Sequence, residues 1–313
     1  MKKTYILLII IFTSNLFLAQ ESKDKKVFLD SLSNETSEEN YKYYRIIKDY
    51  FSEQDTYTVQ TYYKSGKLKS VGITNNKETL MKFGEYIDYF ENGNKEAITI
   101  YKKSIPIGKY TCWYENGNPK LIGEYSKNKI NDFFINQYWN ENNIQTVIDG
   151  DGNFSVKSDD LIEEGSLRKG TKDGIWNGKY LKTNETFKEI YQLGHFINGT
   201  SIDKNNVEIK YNEIEIKPVP KKGLDDFSKF ISKKFNYTNV SIINKIKGKI
   251  ILTFIVNKEG KIEDIKIIQS VGFGLDEEAI RVVKKYNDWI PGKVRGREVN
   301  CKFSLPINLE GMN

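Results

Sequence analysis

The sequence predicts an all-β repeat array of stacked β-hairpins, followed by a small α+β domain with two helices on a three-stranded antiparallel sheet. Two observations carry that prediction. An aromatic, turn-containing motif recurs through the middle of the chain, and residues 223–313 then change to a helix, strand, strand, helix, strand pattern.

The repeat is plainest at Tyr62-Tyr63-Lys64-Ser65-Gly66, Tyr89-Phe90-Glu91-Asn92-Gly93 and Trp113-Tyr114-Glu115-Asn116-Gly117. A worn fourth copy is Tyr138-Trp139-Asn140-Glu141-Asn142-Asn143. The aromatic positions 62, 89, 113 and 138 recur at lags of 27, 24 and 25 residues, a period that signals a repeat architecture. Asn-Gly between β-prone flanks is a hairpin signal, and the expected turn is type I′, with both central residues at positive φ. The turn positions are Gly66, Gly93, Gly117 and Asn143, since Asn tolerates that conformation better than most residues. Each unit is preceded by a second element: Gly84-Glu85-Tyr86, Gly108-Lys109-Tyr110 and Asp132-Phe133-Phe134. Gly174-Ile175-Trp176-Asn177-Gly178-Lys179-Tyr180 reads as a further partial unit. Rows of aromatic side chains at strand spacing are expected to form the spine of the array rather than a binding face. Residues 21–56 read as a polar lead-in with an aromatic helix, Tyr41 to Phe51, capping the first repeat. The repeat region is placed at 57–216 and a Pro218-Val219-Pro220 linker at 217–222.

In the final segment, Phe227, Phe230, Ile231 and Phe235 lie at helical spacing within Leu224 to Phe235. Ile250 to Val256 is a β-branched and aromatic run. Asn257 to Gly260 supplies a turn, and Lys261 to Gln269 returns as a second strand. Asp276, Glu277 and Glu278 crowd the start of a second helix, where negative charge offsets the unpaired N–H groups. Ala279, Ile280, Val282 and Val283 give it an apolar side. Pro291-Gly292 breaks the chain, and Glu298 to Leu305 alternates, with Val299, Cys301, Phe303 and Leu305 on one face.

The ordered set Gly248, Gly260, Asp276, Trp289, Pro291, Gly292 and Pro306 resembles the C-terminal domain of the TonB family of energy transducers. The likeness spans about residues 221–310. It departs from the common pattern where Asn287-Asp288 precede Trp289. The resemblance implies a non-enzymatic domain that binds an extended segment of a TonB-dependent outer-membrane receptor, or another envelope protein, by β-augmentation in transmembrane transport. By that resemblance the docking edge is Glu298, Val299, Asn300, Cys301, Lys302, Phe303, Ser304 and Leu305. The alternative is that this strand is a core strand or is capped by its own chain. The middle region resembles MORN-type repeats over roughly residues 57–200, which implies stacked hairpins.

The N-terminus reads as a signal peptide over residues 1–20. Lys2 and Lys3 form a basic start, Tyr5 to Phe12 an apolar run, and a cut falls near Ala19 or Gln20. As a helix, Thr4 to Ala19 would reach about 24 Å, short of a roughly 30 Å hydrocarbon core. The expected location is therefore the periplasm, with an uncleaved inner-membrane anchor as the alternative. A working transducer, by the resemblance, needs that anchor and a Pro-rich arm, and this chain of 313 residues holds six prolines. The second functional reading is a periplasmic interaction scaffold built on the repeats, without energy transduction.

Composition narrows the chemistry. The formal net charge of +6 is spread through mixed Lys and Glu, which does not mark a nucleic-acid partner. With one histidine, His195, neither a His-based triad nor a multi-histidine metal site can be assembled. Cys112 and Cys301 fall in different predicted domains, and their pairing is left open, with Cys301 expected as a buried free thiol. Asp149-Gly150-Asp151-Gly152-Asn153 places oxygen ligands as in a calcium loop, but Phe154 stands where the loop needs glycine, so turn residues are the preferred reading. Gly272-Phe273-Gly274 reads as a loop. No cofactor, metal or small-molecule substrate is expected.

Overall fold

The structure is a computed structural model that describes residues 23–126, 132–286 and 288–310. The expected signal peptide and Asn287 lie outside the described residues. Two compact units divide the chain. The first is Met1–Phe134 with Glu141–Ile144, and the second is Ile135–Asn140 with Gln145–Asn313.

Sixteen antiparallel strands follow one another in sheet order as in sequence. They are β1 (Lys25–Leu29), β2 (Tyr43–Ile47), β3 (Tyr57–Tyr63), β4 (Leu68–Thr74), β5 (Lys82–Tyr89) and β6 (Lys95–Lys102). Next come β7 (Ile105–Trp113), β8 (Pro119–Tyr125), β9 (Phe133–Trp139), β10 (Gln145–Ile148) and β11 (Asp151–Lys157). The run closes with β12 (Leu161–Arg168), β13 (Thr171–Tyr180), β14 (Thr186–Gln192), β15 (His195–Ile202) and β16 (Glu208–Tyr211).

The expected capping helix at Tyr41 to Phe51 is instead strand β2 followed by a turn. Its aromatic and β-branched residues pair across the sheet, where Tyr44 stacks on Tyr62 at 5.0 Å and Tyr43 meets Tyr63 edge-on at 5.9 Å.

In the first unit the repeat turns differ from type I′. In each of three turns one residue, Gly66, Gly93 or Gly117, takes positive φ (85°, 93° and 87°) and closes a tight turn, as when Gly93 N–H donates to Phe90 O at 2.9 Å. The strand then bulges, with a register shift at Asp88/Tyr89. These are three-residue loops, a type I turn followed by a left-handed residue. Asn92 serves through its side chain, which accepts the Asn94 N–H at 2.9 Å, and not through its backbone. Neighbouring turns are tied together. Asn92 Nδ2 donates to Glu115 O at 2.8 Å, and the Tyr63 hydroxyl donates to Tyr89 O at 2.8 Å.

The worn fourth turn, in the same unit, has Asn143 at φ 59°. Type I′ turns occur where the connection has two residues, as at Lys103-Ser104 in the first unit (φ 52° and 63°). Asp149-Gly150 lies at φ 50° and 89° between the paired Ile148 and Asp151. Asp151 Oδ1 accepts the Lys169 N–H at 3.0 Å, so this acidic run is occupied as turn and cross-strand structure.

Aromatic rings lie flat over glycines on the adjoining strand. A Cβ at Gly165 would sit 2.5 Å from the Trp176 ring, and one at Gly178 would sit 1.9 Å from Phe187. The partial unit 174–180 thus buries Trp176, whose Nε1–H donates to Ser166 O at 2.9 Å, and uses Gly178 as the floor for Phe187.

The rest of the second unit holds β17 (Glu215–Ile216), β18 (Val219–Pro220), α1 (Leu224–Lys234), α2 (Asn239–Ile243), β19 (Gly248–Val256) and β20 (Ile262–Gln269). Then follow α3 (Leu275–Lys284), β21 (Trp289–Ile290), β22 (Gly292–Val294), β23 (Arg297–Val299) and β24 (Cys301–Leu309). The core gathers Phe227, Phe254, Leu275, Val282, Tyr286 and Trp289 between the helices and the sheet β20-β19-β24. The segment expected as a linker is paired, because Val219–Pro220 lies antiparallel to Trp289–Ile290 and Glu215–Ile216 to Lys293–Val294.

Candidate functional site

Strand β24 forms one edge of the three-stranded sheet. It pairs with β19 without a register shift from Val256↔Cys301 to Gly248↔Leu309. Phe303 turns its ring into the core, 5.3 Å from Phe254 and 5.0 Å from Trp289, and Ile307 and Leu309 are buried. Lys302, Ser304, Pro306 and Asn308 are exposed. Pro306 has no N–H to give and so belongs at an outward-turned position of an edge strand. In an antiparallel strand the backbone groups alternate sides with period two. Lys302 and Ser304 therefore share the outward orientation of Pro306, while Cys301, Phe303 and Leu305 bond to β19.

The opposite edge is less regular. In β20 the pairing with β19 shifts register twice, and Asp264 sits at φ 48° beside an ion pair to Lys266 at 2.7 Å. Bulges and charges of this kind blunt an edge.

Of the eight residues expected as one docking strand, Cys301, Lys302, Phe303, Ser304 and Leu305 lie in β24. Glu298 and Val299 belong to β23, paired with Lys293 and Gly292 of the hairpin partner. Asn300 is the break between the two strands, and its Oδ1 accepts the Lys258 N–H at 3.2 Å.

The motif residues support this edge. A Cβ on Gly260 (φ 73°) would sit 2.2 Å from the Trp289 carbonyl, and one on Gly292 would sit 2.3 Å from Cys301 Sγ. Gly248 faces Val271, and Pro291 separates β21 from β22. Asp276 accepts from Ser270 Oγ and from the N–H groups of Val271 (3.1 Å) and Gly272 (2.9 Å), which fixes the loop entering α3. Burial pushes its carboxyl up, but these hydrogen bonds outweigh that and hold it below the ordinary carboxylate value.

Residues 233–310 match the family model described as the Gram-negative bacterial TonB protein C-terminal. This part of the chain is similar to that family's C-terminal domain. It is similar to two NMR solution structures of the Helicobacter pylori TonB C-terminal domain. One is 23% identical, covering 29% of this chain and 95% of that one, with TM-score 0.25. The other is 22% identical, covering 29% and 81%, with TM-score 0.24. No curated protein matches the chain.

The β22–β23 hairpin joins the TonB-type domain to the strands before it. Its tip, Arg295-Gly296, is a type I′ turn at φ 51° and 78°. The Arg295 guanidinium donates from Nε to Glu189 Oε1 (2.8 Å), from Nη1 to the Tyr180 hydroxyl (2.6 Å) and from Nη2 to Glu163 Oε1 (3.2 Å). It also lies 3.6 Å over the Phe187 ring. Glu189 is fully buried and accepts in addition from the hydroxyls of Tyr191 (2.8 Å) and Tyr211 (2.9 Å). Ser201 Oγ donates to Arg295 O at 2.9 Å, and Arg297 donates to Val207 O at 2.8 Å.

Sequence reasoning missed this seat. Its signals were an X-Gly pair between β-prone residues at Val294-Arg295-Gly296-Arg297, and a carboxylate, Glu189, at the inward parity of Phe187 and Tyr191.

His195 is exposed at the start of β15. Cys112 and Cys301 are both free thiols and partly buried, and burial pushes each thiol up. No helix among the described residues is long and apolar enough to cross a membrane.

Two predictions follow from the joint and the loop. Arg295→Ala strands the Glu189 charge in the interior and is expected to cost about 3–5 kcal/mol of unfolding free energy in urea. Arg295→Lys does not restore it, because an ammonium cannot make the forked contacts. A loss below about 0.5 kcal/mol would show that the ion pair is idle. For Asp276, a depressed carboxyl contributes stability that is present above its unfolded value and lost as pH falls through the folded one. Asp276→Asn should therefore lie about 1–3 kcal/mol below wild type at neutral pH, and the gap should close in acid. A gap that persists unchanged in acid would contradict this account of the loop.

Proposed function

We propose that this is a non-enzymatic cell-envelope protein whose TonB-type domain takes an extended segment of a TonB-dependent outer-membrane receptor onto strand β24, in transmembrane transport. The observation that carries the reading is the regular, outward-turned edge of β24 in a segment that matches the TonB C-terminal model. Main-chain pairing to the outward groups of Lys302 and Ser304 supplies affinity, and the side chains beside them supply selection. Pro306 limits the ladder at one end, and the break at Asn300 limits it at the other, so the docked segment is short. The periplasm is the compartment in which such an edge meets receptor segments.

The preceding strands act as a mount. Arg295 is locked into Glu163, Tyr180 and Glu189, so the edge is presented at a fixed orientation to β12–β14. The MORN-like hairpins then serve as a spacer, with any contact of their own added to that of β24.

The test is binding of N-terminal peptides of the organism's own receptors to the purified protein, read by calorimetry. Ser304→Pro removes an outward N–H without touching the β19 ladder. It should weaken binding at least about tenfold while circular dichroism and thermal unfolding stay at wild-type values. Phe303→Pro is the unfolding control, since it breaks an inward bond and the stack on Phe254. Equal affinity of wild type and Ser304→Pro, or no binding to any such peptide, would overturn the proposal.

A further inference from the structure

Around α2 the TonB-type domain places large apolar side chains where no core needs them. Ile243 is 78% exposed, Val240 52% and Ile242 40%, all on a helix of five residues. β-branched residues are poor helix formers, and this helix depends on its N-cap, where Thr238 Oγ1 accepts the Ser241 N–H at 3.1 Å. Thr238 also ties in a second apolar element, because its hydroxyl donates to Phe273 O at 2.8 Å. Phe273 stands 50% exposed in Gly272-Phe273-Gly274, where three successive residues take φ 78°, 58° and 77°. A bulky side chain in the left-handed region is strained, and such strain persists only where the surrounding structure enforces it. Here Asp276 enforces it through the Gly272 and Val271 N–H groups.

Charge along the α2 side of this corner has one sign. Residues 227–258 contain seven lysines and no Asp or Glu. Lys245, Lys247 and Lys249 follow α2 directly, are exposed, and have no carboxylate partner among the described residues. Ile246 packs against the core and fixes the segment between them. Of the three carboxylates that open α3 after Phe273, Asp276 is engaged by the loop and Glu278 by Arg281, and Glu277 is exposed. Glu310, one residue beyond the β24 partner of Gly248, is a second exposed opposing charge beside Glu277.

We infer that this corner is a docking surface for an anionic lipid bilayer. Val240, Ile243 and Phe273 enter the headgroup boundary while Lys245, Lys247 and Lys249 lie against lipid phosphates. Exposed apolar tips rimmed by lysines suit an interface that is apolar below and negative above. Lysine stems reach along apolar surface while their heads stay with the phosphates. An acidic protein would be matched by the lysines alone and leaves the exposed Ile243 and Phe273 without a reason. The inference stands independently of receptor binding at β24.

The experiment is co-sedimentation of the purified protein with vesicles of phosphatidylcholine alone or with phosphatidylglycerol added. Wild type and variants carry the same N-terminus, verified by intact mass. Wild type should pellet with anionic vesicles and far less with neutral ones, and rising salt should weaken it. Neutralising Lys245, Lys247 and Lys249 to Gln should reduce partitioning by more than about tenfold, since each lysine near such a surface contributes severalfold. Val240→Asn with Ile243→Asn, both exposed and so compatible with folding, should also lose binding. Phe273→Gly relieves the backbone strain and should lose binding while gaining stability, which separates membrane contact from a folding defect. Loss in the lysine variant with no change in the apolar ones would mean adhesion to any polyanion and would overturn the inference. Equal pelleting with neutral and anionic vesicles would overturn it as well.

Discussion

A guanidinium withdrawn from water and bound to a carboxylate with no solvent exposure is the constraint on which the second unit depends. Glu189 cannot stay charged in the interior without its partner, and Arg295 reaches it only because the β22–β23 hairpin ends in a tight Arg-Gly turn. That turn in turn requires close approach. A side chain at Gly296 would strike Ile209 at 2.7 Å. The floor of the seat has the same character, since Phe187 lies under Arg295 because Gly178 leaves room beneath the ring. Two glycines, one ring and one ion pair thus fix where the TonB-type domain stands relative to β12–β16. The pairing of β17 and β18 with β22 and β21 then follows, and the Pro218-Val219-Pro220 stretch becomes part of a sheet instead of a spacer.

The same physics distinguishes the two sheet edges of the domain. A strand that pairs regularly on one side and has nothing on the other offers a template, while a bulged and charged strand does not. β24 is of the first kind and β20 of the second. The core behind β24 is aromatic, with Phe254, Trp289 and Phe303 in mutual contact, so the edge is backed by a rigid wall. Rigidity matters for strand addition, because an edge that is already ordered does not lose conformational entropy when a partner docks.

Much of this was legible in the sequence. The helices Leu224–Lys234 and Leu275–Lys284 announce themselves through apolar spacing, acidic first turns and the glycines before them. The strands β19 and β20 follow from β-branched runs around an Asn-to-Gly turn. The repeat turns depart from type I′, because the Asn92 and Asn116 side chains cap their turns and make a second positive φ unnecessary. Tyr41 to Phe51 has the composition of either element, and cross-strand stacking of Tyr44 on Tyr62 decides for a strand. That contact joins residues far apart in sequence and leaves no local trace. Helix α2 was missed because its β-branched residues argue against a helix, and a single cap overrides them. The Arg295 seat was missed for a deeper reason. A buried ion pair between distant strands is visible only once the strands are placed, although an inward Glu189 was a warning that some cation had to meet it.

The central claim is that β24 accepts an extended peptide along its outward side. Amide hydrogen exchange, resolved by residue, with and without a receptor N-terminal peptide, tests it most directly. Paired amides of Phe303 and Leu305 should be slow in both states, and those of Lys302 and Ser304 should change from fast to slow on binding. Protection that appears on β20, or bound peptide with Lys302 and Ser304 still exchanging freely, would contradict the account.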